Sequence, residues 1–207
     1  MHNNSENGVI QDQSKRRFIL GLSTVMGAAA TSQLLGGNAM SVAMAYTPKA
    51  NSIAGPGKLF SQVDMLMLHD ICAQVIPSTQ TLGAAEVDVH GFIDNQLFHC
   101  FSQKDQQAAQ RVLLNLNASA KKRHGTSFSL CNANQQLALL IDLEQARNGF
   151  SADEQKQFKM LKELVIFGYY TSEVGATEEQ AYLMVPGGFT GSIPYESVGK
   201  AWAPLGF

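Results

Sequence analysis

Ser61-Gln62-Val63-Asp64-Met65-Leu66-Met67-Leu68-His69-Asp70-Ile71-Cys72-Ala73-Gln74-Val75-Ile76-Pro77 is the stretch on which the reading of the fold turns. Ser61 is a preferred N-cap residue and Pro77 cannot continue a helix, so the two bracket a helix over about 61–76. Val63, Met65, Leu66, Met67, Leu68, Ile71, Cys72, Val75 and Ile76 leave it almost no polar side. A helix of that kind must be covered all round, either at the centre of a bundle or against a partner.

The same signals recur toward the C-terminus. Pro77 to Ala85 reads as a loop, with turn residues at Pro77-Ser78-Thr79 and Gly83. A helix over about 87–101 places Val89, Phe92, Ile93, Leu97 and Phe101 on one face. Ser102 caps a helix over about 103–123, where Ala109, Val112, Leu113, Leu116 and Ala120 recur at helical spacing. Its Lys121, Lys122 and Arg123 suit the negative end of the helix dipole. After a loop from Gly125 to Asn132, a helix over about 133–148 presents Leu137, Leu140 and Ile141 and stops at Asn148-Gly149. Ser151-Ala152-Asp153-Glu154 is a capping box that opens a helix to about 169, carrying Phe158, Leu161, Leu164, Val165 and Phe167. A short helix is expected near 177–183, and 184–207 is rich in Gly and Pro, with Phe189, Tyr195, Trp202 and Phe207. No alternating strand pattern and no internal repeat is present. The expected fold is therefore all-α: a single helical bundle of about five helices over 59–207, ending in an irregular Gly/Pro/aromatic tail. Such a tail needs a groove to lie in, on its own bundle or on a partner.

Toward the N-terminus, 46–58 holds two prolines and two glycines and reads as an extended lead-in. Residues 1–45 have the anatomy of an export signal. A polar start is followed by Ser14-Lys15-Arg16-Arg17-Phe18-Ile19-Leu20, a weakly apolar stretch, and small residues Ala43 and Ala45 before Tyr46. The arginine pair and Phe18 resemble the twin-arginine consensus, with either Arg16-Arg17 or Lys15-Arg16 filling the pair. The glycines at 21, 27, 36 and 37 dilute the apolar stretch, as twin-arginine signals usually require. The competing reading is an uncleaved anchor, for which Gln33, Asn38 and the glycines make a poor spanning helix.

Composition bounds the function. Of 207 residues, 45% are apolar and 15% charged, against roughly 25% charged in soluble domains, which fits a surface buried on a partner, with a low-charge soluble monomer as the alternative. A net charge of -2 gives no electrostatic case for nucleic acid. The three cysteines have no C-x-x-C spacing. In an oxidising compartment the pair Cys100–Cys131 is the preferred disulfide, since Cys72 lies in an apolar helix; three unpaired cysteines is the alternative. No dinucleotide fingerprint, nucleophile elbow, H-E-x-x-H or iron–sulfur cluster motif occurs. His69 and Cys72 share a helix face, but no third or fourth metal ligand accompanies them. Asp64 with Asp70, and Glu173 with Glu178, read as polar helix faces and caps rather than acid–base pairs. No catalytic, cofactor-binding or metal residue is assigned to this chain. The twin-arginine route moves folded proteins, typically ones that acquire a cofactor first. A small chain with such a signal and no cofactor motif implies a companion that holds the cofactor and lacks a signal of its own.

One block is specific. Leu164-Val165-Ile166-Phe167-Gly168-Tyr169-Tyr170-Thr171-Ser172-Glu173-Val174-Gly175-Ala176-Thr177 resembles the hallmark of the gluconate 2-dehydrogenase subunit 3 (gamma, small subunit) family. Val75-Ile76-Pro77-Ser78-Thr79 through Gly83-Ala84, with the helix start from Val89 to Asp94, and Pro186-Gly187-Gly188-Phe189-Thr190-Gly191 resemble two weaker family blocks. The resemblance runs over about 59–200, with Phe189 where the family pattern has Tyr. It implies a chain that is not an enzyme by itself but the partner of a large FAD-dependent subunit of the glucose–methanol–choline type. In such complexes that subunit oxidises a sugar, sugar acid or polyol, and electrons often pass to a multi-haem cytochrome c subunit. The small subunit supplies the twin-arginine signal for the translocase and is needed to mature and export its partner. The expected place is the periplasm, at the inner membrane through the complex.

Within this frame Gly168, Tyr169, Tyr170, Thr171, Ser172, Glu173, Gly175, Pro186 and Gly187 are the expected partner interface. Tyr169 and Tyr170 pair apolar rings with polar tips, a type enriched at interfaces. The block closing the subunit's own core is the alternative. Two other functions compete: an enzyme built around His69, Cys72 or Glu173, and a free periplasmic helical binding protein whose aromatic tail lines a pocket.

Overall fold

The computed structural model describes residues 45–181, 192 and 194–201. The expectations placed on Arg16, Arg17, Phe18, Ala43, Pro186 and Gly187, and on the aromatic residues Phe189, Trp202 and Phe207, lie outside the described residues. The fold is all-α, with no strand among the described residues.

The helices start where side chains can satisfy the free N–H groups of a first turn. α1 (Gln62–Val75) begins at a reciprocal Ser61–Asp64 capping box. α2 (Val89–Cys100) follows the loop after Pro77. α3 (Gln103–His124) is capped by Ser102 and ends at Gly125 in the left-handed conformation. A 3-10 turn (Phe128–Leu130) leads into α4 (Ala133–Glu144), which opens on an Asn132–Gln135 capping box. α5 (Ala152–Tyr170) opens on the Ser151–Glu154 box, and a π-helical turn (Gly175–Glu179) and a single turn α6 (Tyr195–Val198) follow. The π turn stands where a short helix near 177–183 was expected. α4 stops four residues before the expected end because Ala146 and Asn148 take positive φ, which a continuing helix forbids.

α5 is the central element, packed against α2 and α3 and more lightly against α4 and α1. The core joins Met65, Leu68 and Ile71 of α1, Ile93 and Leu97 of α2, Leu113 and Leu116 of α3, Leu139 and Leu143 of α4, and Phe158, Leu161 and Val165 of α5.

Two helix faces differ from expectation. The described residues do not cover α1 all round: Val63 is 59% and Leu66 40% exposed, which leaves the partner-facing alternative for that side, while Met65, Met67, Leu68, Ile71 and Cys72 are buried. The helix enclosed along most of its length is α2, where every residue from Val89 to Leu97 is buried, including His90, Asp94, Asn95 and Gln96. Composition misleads here because α2's polar side is roofed by the lead-in, which brings its own hydrogen-bond donors. In α4 the buried face is Gln136, Leu139, Leu140 and Leu143, and Leu137 and Ile141 face outward. Gln136 turns inward because its amide donates to the Phe128 carbonyl at 3.1 Å and accepts from Gln74 at 3.2 Å.

Leu113 and Leu114 are neighbours at opposite extremes, 0% and 66% exposed. Leu113→Ala is expected to cost about 2–5 kcal/mol of unfolding free energy, and Leu114→Ala no more than about 0.5 kcal/mol. Urea titration of both variants checks the assignment of the core face of α3.

Candidate functional site

The polar centre of the molecule lies where the lead-in crosses α2. Residues 45–60 are irregular apart from one 3-10 turn (Ser52–Ala54), so their backbone groups need partners from elsewhere. Two carboxylates, Asp88 at the N-cap position of α2 and Asp94 within it, supply them. Asp94 accepts the backbone N–H groups of Lys58, Leu59 and Phe60 at 2.6, 2.9 and 3.0 Å. Asp88 accepts the Tyr46 hydroxyl at 2.5 Å, the Lys49 backbone N–H at 2.7 Å and the Ser52 hydroxyl at 2.5 Å. Asp88 holds φ 61, a left-handed conformation that Asp tolerates better than most residues. Its side chain does not cap α2, although it sits at the N-cap position. It is turned instead toward the lead-in.

His90 completes the cluster. Its Nε2 lies 2.6 Å from the Ser52 oxygen and 3.3 Å from Asp88. With Ser52 donating to Asp88, the consistent assignment is a neutral ring whose Nε2–H donates to Ser52. The Nδ1 atom is then a buried acceptor, and it has no partner among the described residues. Burial pushes the imidazole well below its ordinary value of 6.5, against the pull of Asp88. The His69 ring meets His90 edge-on at 5.1 Å and is pushed the other way, chiefly by its bond to Asp70. Burial, helped by the bond to Asp88, also raises the Tyr46 phenol.

A cleft of about 660 Å³ opens between the lead-in and α2, lined in part by Tyr46, Lys49, Ser52, Lys58, Asp94 and His99. The Lys58 ammonium bridges Asn95 Oδ1 at 2.7 Å and His99 Nε2 at 2.8 Å on its rim.

The block singled out by sequence divides into an inner and an outer part. Gly168 and Tyr169 are buried on α5, and Gly175 is buried at the π turn. A side chain at Gly168 would meet the Phe92 ring at 2.7 Å, so the close neighbour is a ring of α2 rather than a backbone. The Tyr169 hydroxyl donates to the Leu82 carbonyl at 2.9 Å, tying α5 to the loop after α1. Thr171 donates to Phe167 and Ser172 to Tyr169, at 2.7 and 2.6 Å, and Ser172 also accepts from the Gly175 N–H at 3.2 Å. A Cβ at Gly175 would lie 2.0 Å from the Tyr169 carbonyl oxygen. Ile166, Tyr170, Glu173 and Thr177 are the exposed members of the block.

The preferred Cys100–Cys131 disulfide is not formed, and all three cysteines are free thiols. Cys100 ends α2, whereas Cys131 is buried behind the 3-10 turn that precedes α4. Burial pushes the Cys72 thiol up, so it is a poor nucleophile. No group of three His, Cys, Asp or Glu residues that could hold a metal occurs among the described residues. No helix among them is long and apolar enough to cross a membrane.

The family model described as gluconate 2-dehydrogenase subunit 3 matches residues 62–187. The chain belongs to this family. No curated protein and no solved structure matches it. The gluconate 2-dehydrogenase subunit 3 match begins at the first residue of α1, so the roof over α2 is built by chain that precedes the matched region. Asp88, His90 and Asp94 escaped the sequence reading. The signal that could have found them is two acidic residues and a histidine at the start and along one helix, interleaved with large apolar residues, beside a lead-in with no partner for its N–H groups.

Two measurements test the site. The folded-state value of His90 lies below the unfolded one, so its contribution is complete above the ordinary imidazole value and is lost as pH falls below it. His69 has the opposite sign, present at low pH and fading as pH rises through its raised value. His90→Gln is therefore expected to flatten the drop in Tm below about pH 6.5. An unchanged acid limb refutes a buried neutral imidazole. In the hallmark block, Tyr169→Ala is expected to cost about 3–5 kcal/mol and Tyr170→Ala less than about 1 kcal/mol in denaturant titrations.

Proposed function

We propose that this chain is the non-catalytic small subunit of a periplasmic FAD-dependent dehydrogenase complex of the glucose–methanol–choline type. The large subunit oxidises a sugar, sugar acid or polyol, and this chain is needed for its maturation and its co-export by the twin-arginine translocase. FAD belongs to the large subunit, and haem c to a multi-haem cytochrome subunit where one is present. The complex is held at the periplasmic side of the inner membrane.

Membership of the gluconate 2-dehydrogenase subunit 3 family carries this reading. The Ser14–Leu20 stretch and the small residues Ala43 and Ala45 before Tyr46 support the export part. Ile166, Tyr170, Glu173 and Thr177 are the members of the hallmark block available to a partner, and Tyr170 is the aromatic one among them, a large ring 41% exposed on α5. An exposed aromatic with a polar tip is a favoured interface anchor. The buried Gly168, Tyr169 and Gly175 shape the surface that presents it.

A free periplasmic binding protein is the second reading. The cleft of about 660 Å³ beside α2 favours it, since that volume suits a small ligand.

Pull-down of the tagged chain from periplasmic and membrane fractions separates the two. The expected result is a flavin absorbance spectrum with a co-purifying chain of large-subunit size, reduced in yield by Tyr170→Ala. A colourless monomer without a partner overturns the subunit reading and leaves the binding protein.

A further inference from the structure

We propose that Tyr46 is a latch that docks the start of the mature chain on α2, so that folding withholds the Ala45–Tyr46 bond from a signal peptidase. The inference rests on the export reading of residues 1–45 and goes beyond it. It concerns when the leader is removed, not whether the leader exists.

The position after the small-residue pair is a built seat. The Tyr46 hydroxyl donates to Asp88 at 2.5 Å, and its ring meets Phe92 edge-on at 5.8 Å. A Cβ on Gly91 would stand 2.2 Å from that hydroxyl, so the notch in α2 exists because residue 91 has no side chain. The same carboxylate takes the Lys49 N–H at 2.7 Å and the Ser52 hydroxyl at 2.5 Å. Asp88 thereby pins the chain at three points between residues 46 and 52, and it is itself only 3% exposed.

Hydrolysis adds water across the bond, leaving the Ala45 carboxylate and the Tyr46 α-ammonium. An endopeptidase needs the residues on both sides of the bond freed from other hydrogen bonds. The first residue beyond this bond is half-buried and bonded to a carboxylate. Cutting the folded chain must therefore wait for the lead-in to lift away, and the rate follows the population of that open state. A chain exported already folded would keep its leader until the latch opens or a partner displaces it.

Incubating the purified, folded full-length chain with bacterial signal peptidase in detergent, with intact-mass readout of the new N-terminus, tests this. Tyr46→Phe keeps an aromatic residue after the cut and removes only the bond to Asp88. A free peptide spanning 38–52 reports cleavage without the fold. The expected result is rapid cleavage of the peptide at Ala45–Tyr46, slow cleavage of the folded wild-type chain, and about tenfold faster cleavage of folded Tyr46→Phe. Asp88→Asn, which keeps one acceptor oxygen but loses the other and the charge, weakens the hold on Tyr46, Lys49 and Ser52 without touching the cut sequence and is also expected to accelerate cleavage. Equal rates for the folded wild type and both variants overturn the latch while leaving the export reading in place. A peptide that is never cut at this bond overturns the cleavage site assigned after Ala45, and the latch with it.

Discussion

Phe92 is the contact on which the arrangement depends. Its ring lies over Gly168, where any side chain would collide with it, and meets Phe167 at 5.9 Å. It also meets Tyr46 edge-on at 5.8 Å. One side chain therefore sets the spacing of α2 from α5 and provides the apolar wall for the start of the lead-in. Close-packed interiors transmit such constraints because they have little free volume to absorb a shift.

Around this apolar contact the polar groups are arranged to cost little. Asp88 and Asp94 are buried carboxylates, which would be expensive without partners. Each takes three donors from the lead-in, and in return the irregular segment has its N–H and hydroxyl groups satisfied. Neither half is sensible alone. The lead-in has only a single 3-10 turn of its own to bond with, and α2 without a roof would expose an acidic, histidine-bearing side to water. The pairing explains why a stretch rich in proline and glycine is ordered against the bundle.

The hallmark block of the gluconate 2-dehydrogenase subunit 3 family divides along its own sequence. Gly168, Tyr169 and Gly175 face inward, where size and a single hydrogen bond decide which residue fits. Tyr170 and Glu173 face outward. A run of residues that reads as one motif thus serves packing at some positions and leaves others open to a partner, and helix geometry separates the two sets.

The sequence by itself determined the helices. Ser61, Ser102 and Ser151 cap as expected, and Asn132 caps as well, because capping is settled by residues within one turn of one another. The all-α class followed from apolar spacing, and the core face of α3 was read correctly. The tertiary structure decided which helix would be enclosed and which way its polar side would point. α1 looked more apolar than α2, yet Val63 and Leu66 are exposed while His90, Asp94 and Asn95 are buried. It also turned Gln136 inward and Leu137 outward on α4, and it left Cys100 and Cys131 unbridged. These outcomes depend on partners distant in the chain, 36 to 42 residues away for the groups that reach Asp88 and Asp94 at Ser52, Lys58 and Tyr46. Local periodicity carries no information about such partners. A polar residue is buried or exposed according to what the rest of the chain brings to it.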